Sequence, residues 1–143
     1  MARYLPWLAG LNLVWELAQL PLYTIWSDAP PGEIAFGVVH CTLGDVLIGA
    51  FAMLIALLAV RAPALERWNW VTIGTLAVLL GVGYTVVSEW MNTTIRPSWQ
   101  YSNRMPFIDI GDVAIGLSPL AQWLVVPPFA LYLAARGRRW LSV

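Results

Sequence analysis

Glu16, His40, Asp45 and Glu89 lie in or at the edge of apolar stretches long enough to cross a bilayer, in a chain without lysine. An ionisable group at membrane depth costs on the order of a few kcal/mol unless it finds a partner or water, so such groups tend to mark a working site. The chemistry they offer is proton transfer. A carboxyl held out of water can carry a proton and donate it, and His40 or a second carboxylate can return it. These four are the candidate catalytic residues.

Around them the polar residues follow a helical pattern. Asn12, Glu16, Gln19 and Tyr23 recur at offsets of four, seven and eleven, which puts all four on one stripe of a helix. A polar stripe inside a span faces either a cavity or neighbouring helices, and four such residues exceed what interhelical bonding alone needs. Pro21 withdraws an N–H from the Leu17 carbonyl and is expected to bend the helix beside this stripe. Cys41 and Asp45 share a face, with Gly37 and Gly44 adding a small-residue surface for close helix approach. His40 and Asp45, five residues apart, point about 140° away from one another, so they form no dyad on their own helix. His40 is therefore expected to meet Glu16 or Glu89; a His40 turned away from both would remove the upper half of the site and favour a structural role. Thr85, Glu89 and Asn92 share a face, as do Ser118 and Gln122, while Pro119, Pro127 and Pro128 each remove a backbone donor and are expected to distort the last helix.

Four segments, about 5–26, 34–60, 70–91 and 113–135, have the length of roughly 20 residues that a hydrocarbon core requires. The fold expected is all-α: one domain over 1–143, an integral membrane four-helix bundle. Asp28, Pro30, Pro31, Gly32 and Glu33 mark the first connection, and residues 61–67 the second. The third, 92–112, carries Trp99, Tyr101, Met105, Pro106 and Phe107, too apolar for a solvated loop, so it is expected to fold back onto the bundle. Arg3, Arg61, Arg67, Arg136, Arg138 and Arg139 fall on one side of the spans and only Arg96 and Arg104 on the other. Both termini are then expected in the cytoplasm, in a multi-pass protein of a bacterial inner membrane. Trp7, Trp26, Trp68, Trp70, Trp90 and Trp140 lie near span ends, where an indole anchors at the headgroups.

Counted from the outer ends, His40 lies about 9 Å deep and Gln122, Asp45 and Glu16 roughly 14 to 16 Å deep. The pattern predicts a funnel with Glu89, Trp99 and Tyr101 at its mouth and Glu16, Asp45 and Gln122 at its floor. Asn12, Gln19, Tyr23, Asn92, Trp99, Tyr101 and Gln122 are the expected ligand-binding residues.

Composition narrows the classes. Hydrophobic residues make up 59% of the chain and charged residues 11%, with a mean hydropathy of +0.69, against about a quarter charged in soluble domains. The lipid bilayer is the first partner. With a net charge of zero and no basic run, nucleic-acid binding has no electrostatic footprint. One cysteine, Cys41, excludes an intrachain disulfide and Cys-pair metal motifs. One histidine excludes bis-His haem and three-His zinc, and the absence of lysine excludes a Schiff base. There is no P-loop, no dinucleotide fingerprint and no His-Glu-x-x-His. No cofactor and no metal is expected.

His40-Cys41-Thr42-Leu43-Gly44-Asp45, Ser88-Glu89-Trp90-Met91-Asn92, Trp99-Gln100-Tyr101-Ser102 and the run from Gly116 to Trp123 resemble small uncharacterised bacterial four-helix membrane proteins. That likeness implies no activity. Four spans, buried acids and Gly116-Leu117-Ser118-Pro119-Leu120 ahead of Trp123 also resemble the architecture of emopamil-binding-type sterol isomerases, without the histidine-to-acid spacing expected there.

Three functions follow from the pattern. The first is an outward-facing polar cavity that binds, and acts by acid–base chemistry on, a small-molecule or lipid-like amphiphilic ligand. The second is a proton or cation transporter, against which stands the lack of charged steps in the cytoplasmic half of each span. The third is an accessory subunit of a homo-oligomer or larger membrane complex, with its polar groups as interhelical glue.

Overall fold

The computed structural model describes residues 3–62, 68–111 and 113–136. It is mostly helical, with α1 (Tyr4–Gln19), a short α2 (Ile25–Asp28), α3 (Pro31–Ala59), α4 (Trp70–Trp90) and α5 (Leu117–Arg136) in chain order. Three helices are long and apolar enough to cross a membrane: α3, α4 with the turn that continues it to Ile95, and α5. They mark the chain as a membrane protein. α1, with 16 residues, rises only about 24 Å, short of the roughly 30 Å hydrocarbon core.

Local chemistry sets the boundaries. Pro21 ends α1 instead of bending it, because the chain tightens into a 3-10 turn at Leu20–Leu22 and becomes extended at Tyr23. The expected first span over 5–26 is thus a helix to Gln19 followed by irregular backbone. Pro31 opens α3 at the position where a missing N–H costs nothing, with Pro30 extended before it and Glu33 in the first turn. At the start of α4 the Asn69 side chain accepts the Thr72 N–H at 3.1 Å. α4 runs on through a wide turn, Met91–Ile95, in which the Asn92 amide donates to the Ser88 carbonyl and the Thr93 hydroxyl to the Glu89 carbonyl. Those bonds satisfy carbonyls that a helix end otherwise leaves open.

The all-helical expectation fails at one place. Residues 113–116, expected to begin the last span, form a strand, β2 (Val113–Gly116), paired antiparallel with β1 (Phe107–Ile110). β-branched Ile108, Ile110, Val113 and Ile115 favour extended backbone. Gly111, at φ 63°, supplies the left-handed turn that closes the hairpin. α5 accordingly starts at Leu117, and Pro119 falls in its first turn, where no intrahelical donor is missed. Only Pro127 and Pro128 interrupt its interior.

α1 packs against α3 and α5, and α4 packs against the same two, closing a ring. Tyr4 and Leu8 from α1, Ala52, Met53 and Ala56 from α3, Ile73 and Ala77 from α4, and Val126 and Ala130 from α5 form the core. These residues fill the end of the ring that holds the described chain ends. Helices approach closest not at Gly37 and Gly44, as the sequence suggested, but at Gly49, where Leu8 fills the place of a side chain, and at Gly81, where the Trp123 ring does. Gly44 has nothing nearby. The outer surface carries Val14, Phe36, Leu47, Leu58, Val71 and Leu124, all exposed. Trp7, Trp26, Trp70 and Trp90 are exposed near helix ends, and Trp68 packs against Trp70. Arg67, Arg138, Arg139, Trp140 and most of the 61–67 connection lie outside the described residues, as does Asp112.

Candidate functional site

The opposite half of the ring is polar. One helical stripe of α1 delivers Asn12, Glu16 and Gln19, and all three are buried. Asp45 comes from α3, and Gln122 and Ser118, one turn apart, from the first half of α5. The Gln122 amide nitrogen lies 2.7 Å from Asp45 Oδ2, 2.9 Å from Asn12 Oδ1 and 3.4 Å from Glu16 Oε1. Two N–H groups thus serve three acceptors on two other helices. Gln19 donates to Glu16 Oε1 at 2.7 Å, and the Ser118 hydroxyl donates to Gln19 Oε1 at 2.8 Å.

Within this net Glu16 and Asp45 lie close enough to act on each other, and no arginine among the described residues acts on either. Two carboxyl groups this close do not readily ionise together, so the arrangement can hold one proton between them. Asn12 Nδ2 stays buried without an acceptor although its oxygen is bonded. It is a spare donor beside the two acids.

Glu89 sits nearer the loop end of the ring, 4% exposed, with Thr85 buried one turn below it. The 92–106 connection folds back over this end as a strap. Thr24 N–H donates to the Gln100 carbonyl at 3.0 Å and Ser102 N–H to the Leu22 carbonyl at 2.9 Å, a short bridge that pairs Tyr23 with Tyr101. The Ser102 hydroxyl adds a bond to the Pro21 carbonyl. Tyr101 donates its hydroxyl to Glu89 and accepts the Gly116 N–H at 2.9 Å, so one phenol ties the strap to α4 and to the hairpin. Burial, then the hydrogen bond to Glu89 and its charge, hold the Tyr101 phenol protonated above its ordinary range. It therefore remains a donor at any physiological pH. Trp99 lies beside Glu89, close enough to act on its carboxyl, but its buried Nε1 misses hydrogen-bond geometry.

Tyr23 and Cys41 are each in electrostatic range of both groups of acids. Tyr23 is in electrostatic range of Glu89, Tyr101 and Glu16, with its ring 5.8 Å from that of Tyr101. Cys41 is in range of Glu16, Asp45 and Glu89.

The structure therefore brings Asn12, Glu16, Gln19, Asp45 and Gln122 together, and Glu89, Trp99, Tyr101 and Tyr23 together above them. His40 joins neither. It is exposed, stacked on Phe36 with ring centroids 5.6 Å apart, and bonds to no carboxyl among the described residues. The helical geometry that turns half-buried Asp45 toward the net turns His40 outward. The expected pairing with Glu16 or Glu89 is not formed. Asn92 serves its own helix end instead of the acids.

Sequence reasoning did not assign Ser118, Ser102 or the Gly116 N–H to the site. Ser118 was signalled by its one-turn spacing from Gln122, whereas Ser102 and Gly116 act through contacts distant in sequence. Among the described residues no three of His, Cys, Asp and Glu gather as a metal-ligand set. An apolar groove between α4 and α5, from Trp70 to Tyr132, touches none of the polar residues. Comparison with protein-family models, curated proteins and solved structures finds no match to this chain.

Proposed function

We propose that the chain is a four-span inner-membrane protein with both termini cytoplasmic, whose Glu16–Asp45 pair binds a small or amphiphilic ligand and exchanges a proton with it. One observation carries this reading: two carboxyl groups lie side by side, Gln122 bonding to both and Gln19 to Glu16, with no cation beside them among the described residues. Interhelical adhesion is served by neutral amides, three of which are already present, and adding two acids contributes a labile proton more than it contributes adhesion. The spare N–H of Asn12 supports the reading, since a ligand oxygen would satisfy it. With His40 outside the net the expected funnel loses its upper half, and the reading rests on the stripe of Asn12, Glu16 and Gln19 with Asp45 and Gln122.

The accessory-subunit reading has its own support, because the amides close on one another and His40 lies outside the net. Glu16→Gln separates the two. The amide keeps size and most bonding, so we expect unchanged thermal unfolding in detergent, together with loss of any small molecule that co-purifies with the wild type by mass spectrometry. Unchanged co-purification in Glu16→Gln with collapse of folded Glu16→Ala would favour the structural role.

A further inference from the structure

We infer that the Glu16–Asp45 pair exchanges protons with one side of the membrane only, the side covered by the strap, and that Glu89 is the carboxyl through which it does so. This rests on the acid–base reading of the pair and adds a direction and a route to it.

Polar groups form a graded series toward the strap. The Ser118 hydroxyl bonds to Gln19, which bonds to Glu16, and two residues earlier the Gly116 N–H bonds to Tyr101, which bonds to Glu89, so one short stretch of chain ties the pair and Glu89 together; Tyr23 and Cys41 are in electrostatic range of both Glu16 and Glu89. Glu89 is then bonded to Tyr101, whose neighbours Gln100, Asn103 and Arg104 are exposed. α5 contributes Gln122 and Ser118 to this half and no titratable group. Glu89 and Glu16 lie in electrostatic range of one another, so a proton that leaves the pair leaves an anion there and is attracted to a carboxylate nearby. Arriving at Glu89, it makes a neutral acid that donates to the Tyr101 oxygen, while the phenol O–H turns to water on the strap side and passes its own proton to it. No electron moves and no bond other than O–H is broken or formed.

The other direction is closed. Below the pair come Leu8, Met53, Ala56 and Ile73, the most deeply buried residues of the core. α3 has no titratable group between Asp45 and its end at Ala59, a rise of about 21 Å. The first titratable side chain of the core at that end is Tyr4, whose hydroxyl is buried without a partner. An apolar layer of this depth is a barrier to a proton, whereas a ladder of carboxyl and hydroxyl groups is a path.

The test is time-resolved infrared spectroscopy of the full chain in vesicles sorted for the strap facing outward. The carbonyl band of the protonated pair is assigned by its loss in Glu16→Gln. We expect a pH jump in the outer medium to change that band rapidly, a jump confined to the lumen to leave it unchanged, and Glu89→Gln to slow the response on the order of tenfold or more. Tyr101→Phe, which keeps the ring against Tyr23, is expected to slow it as well. A band that answers equally fast from both sides, or at the wild-type rate in both variants, overturns the inference while leaving the acid–base reading intact. Absence of any band lost in Glu16→Gln overturns that reading itself.

Discussion

Gln122 shows how one side chain can define a site. Its two N–H groups reach acceptors on α1 and α3, so removing them leaves Asn12, Asp45 and Glu16 short of donors in a buried setting. Gln122→Leu is expected to cost about 1–3 kcal/mol in reversible unfolding, whereas a surface change costs far less. His40 provides the contrast. Exposed and stacked only on Phe36, it can be replaced: His40→Ala is expected to stay within about 0.5 kcal/mol of wild type and to retain whatever ligand the wild type carries. A loss of ligand in that variant would return His40 to the site. The two residues were separable on paper only in part, since a helix fixes which way a side chain points relative to its own neighbours but not which face meets a partner.

At the level of elements, the strap is held by its backbone bridge to Leu22 and Thr24, by Ser102 on Pro21, and by the phenol of Tyr101. Tyr101 joins Glu89 on α4 to the Gly116 backbone, so Tyr101→Phe is expected to speed hydrogen exchange at Gly116 and to expose the bond after Arg104 to trypsin, without unfolding the helices. Unaltered exchange would mean that the backbone bridge to Leu22 and Thr24 suffices. The sequence announced that 92–112 folds back, because its aromatic content is at odds with solvation, but not where it docks. Tyr23 and Tyr101 pair across 78 positions by a bridge to which any residues could contribute backbone groups. The stripe of Asn12, Glu16 and Gln19 was legible for the opposite reason: helical periodicity is local. Val113 to Gly116 misled because an apolar run leading into a helix reads as its first turn, and only β-branching and Gly111 hinted at a strand. Pro21 likewise marked a disturbance correctly and its kind incorrectly, since a bend and an end begin with the same lost N–H.

For the molecule as a whole, the arginine pattern makes orientation testable. Asn103 is exposed on the strap, whereas Ser102 is tied to Pro21. In a Cys41→Ser background, Asn103→Cys is expected to react with an impermeant thiol reagent added to intact cells. Reaction only after permeabilisation would invert the proposed topology. The polar net also has a consequence for biogenesis. Its acceptors on α1 are made first and its donors Gln122 and Ser118 on α5 last, with more than 90 residues between Gln19 and Ser118. A nascent chain inserted helix by helix therefore carries an incomplete stripe through most of its synthesis, exposed to lipid or held by the insertion machinery. Chains arrested before Leu117 lack the donors that complete the stripe and are expected to be degraded faster than the full chain.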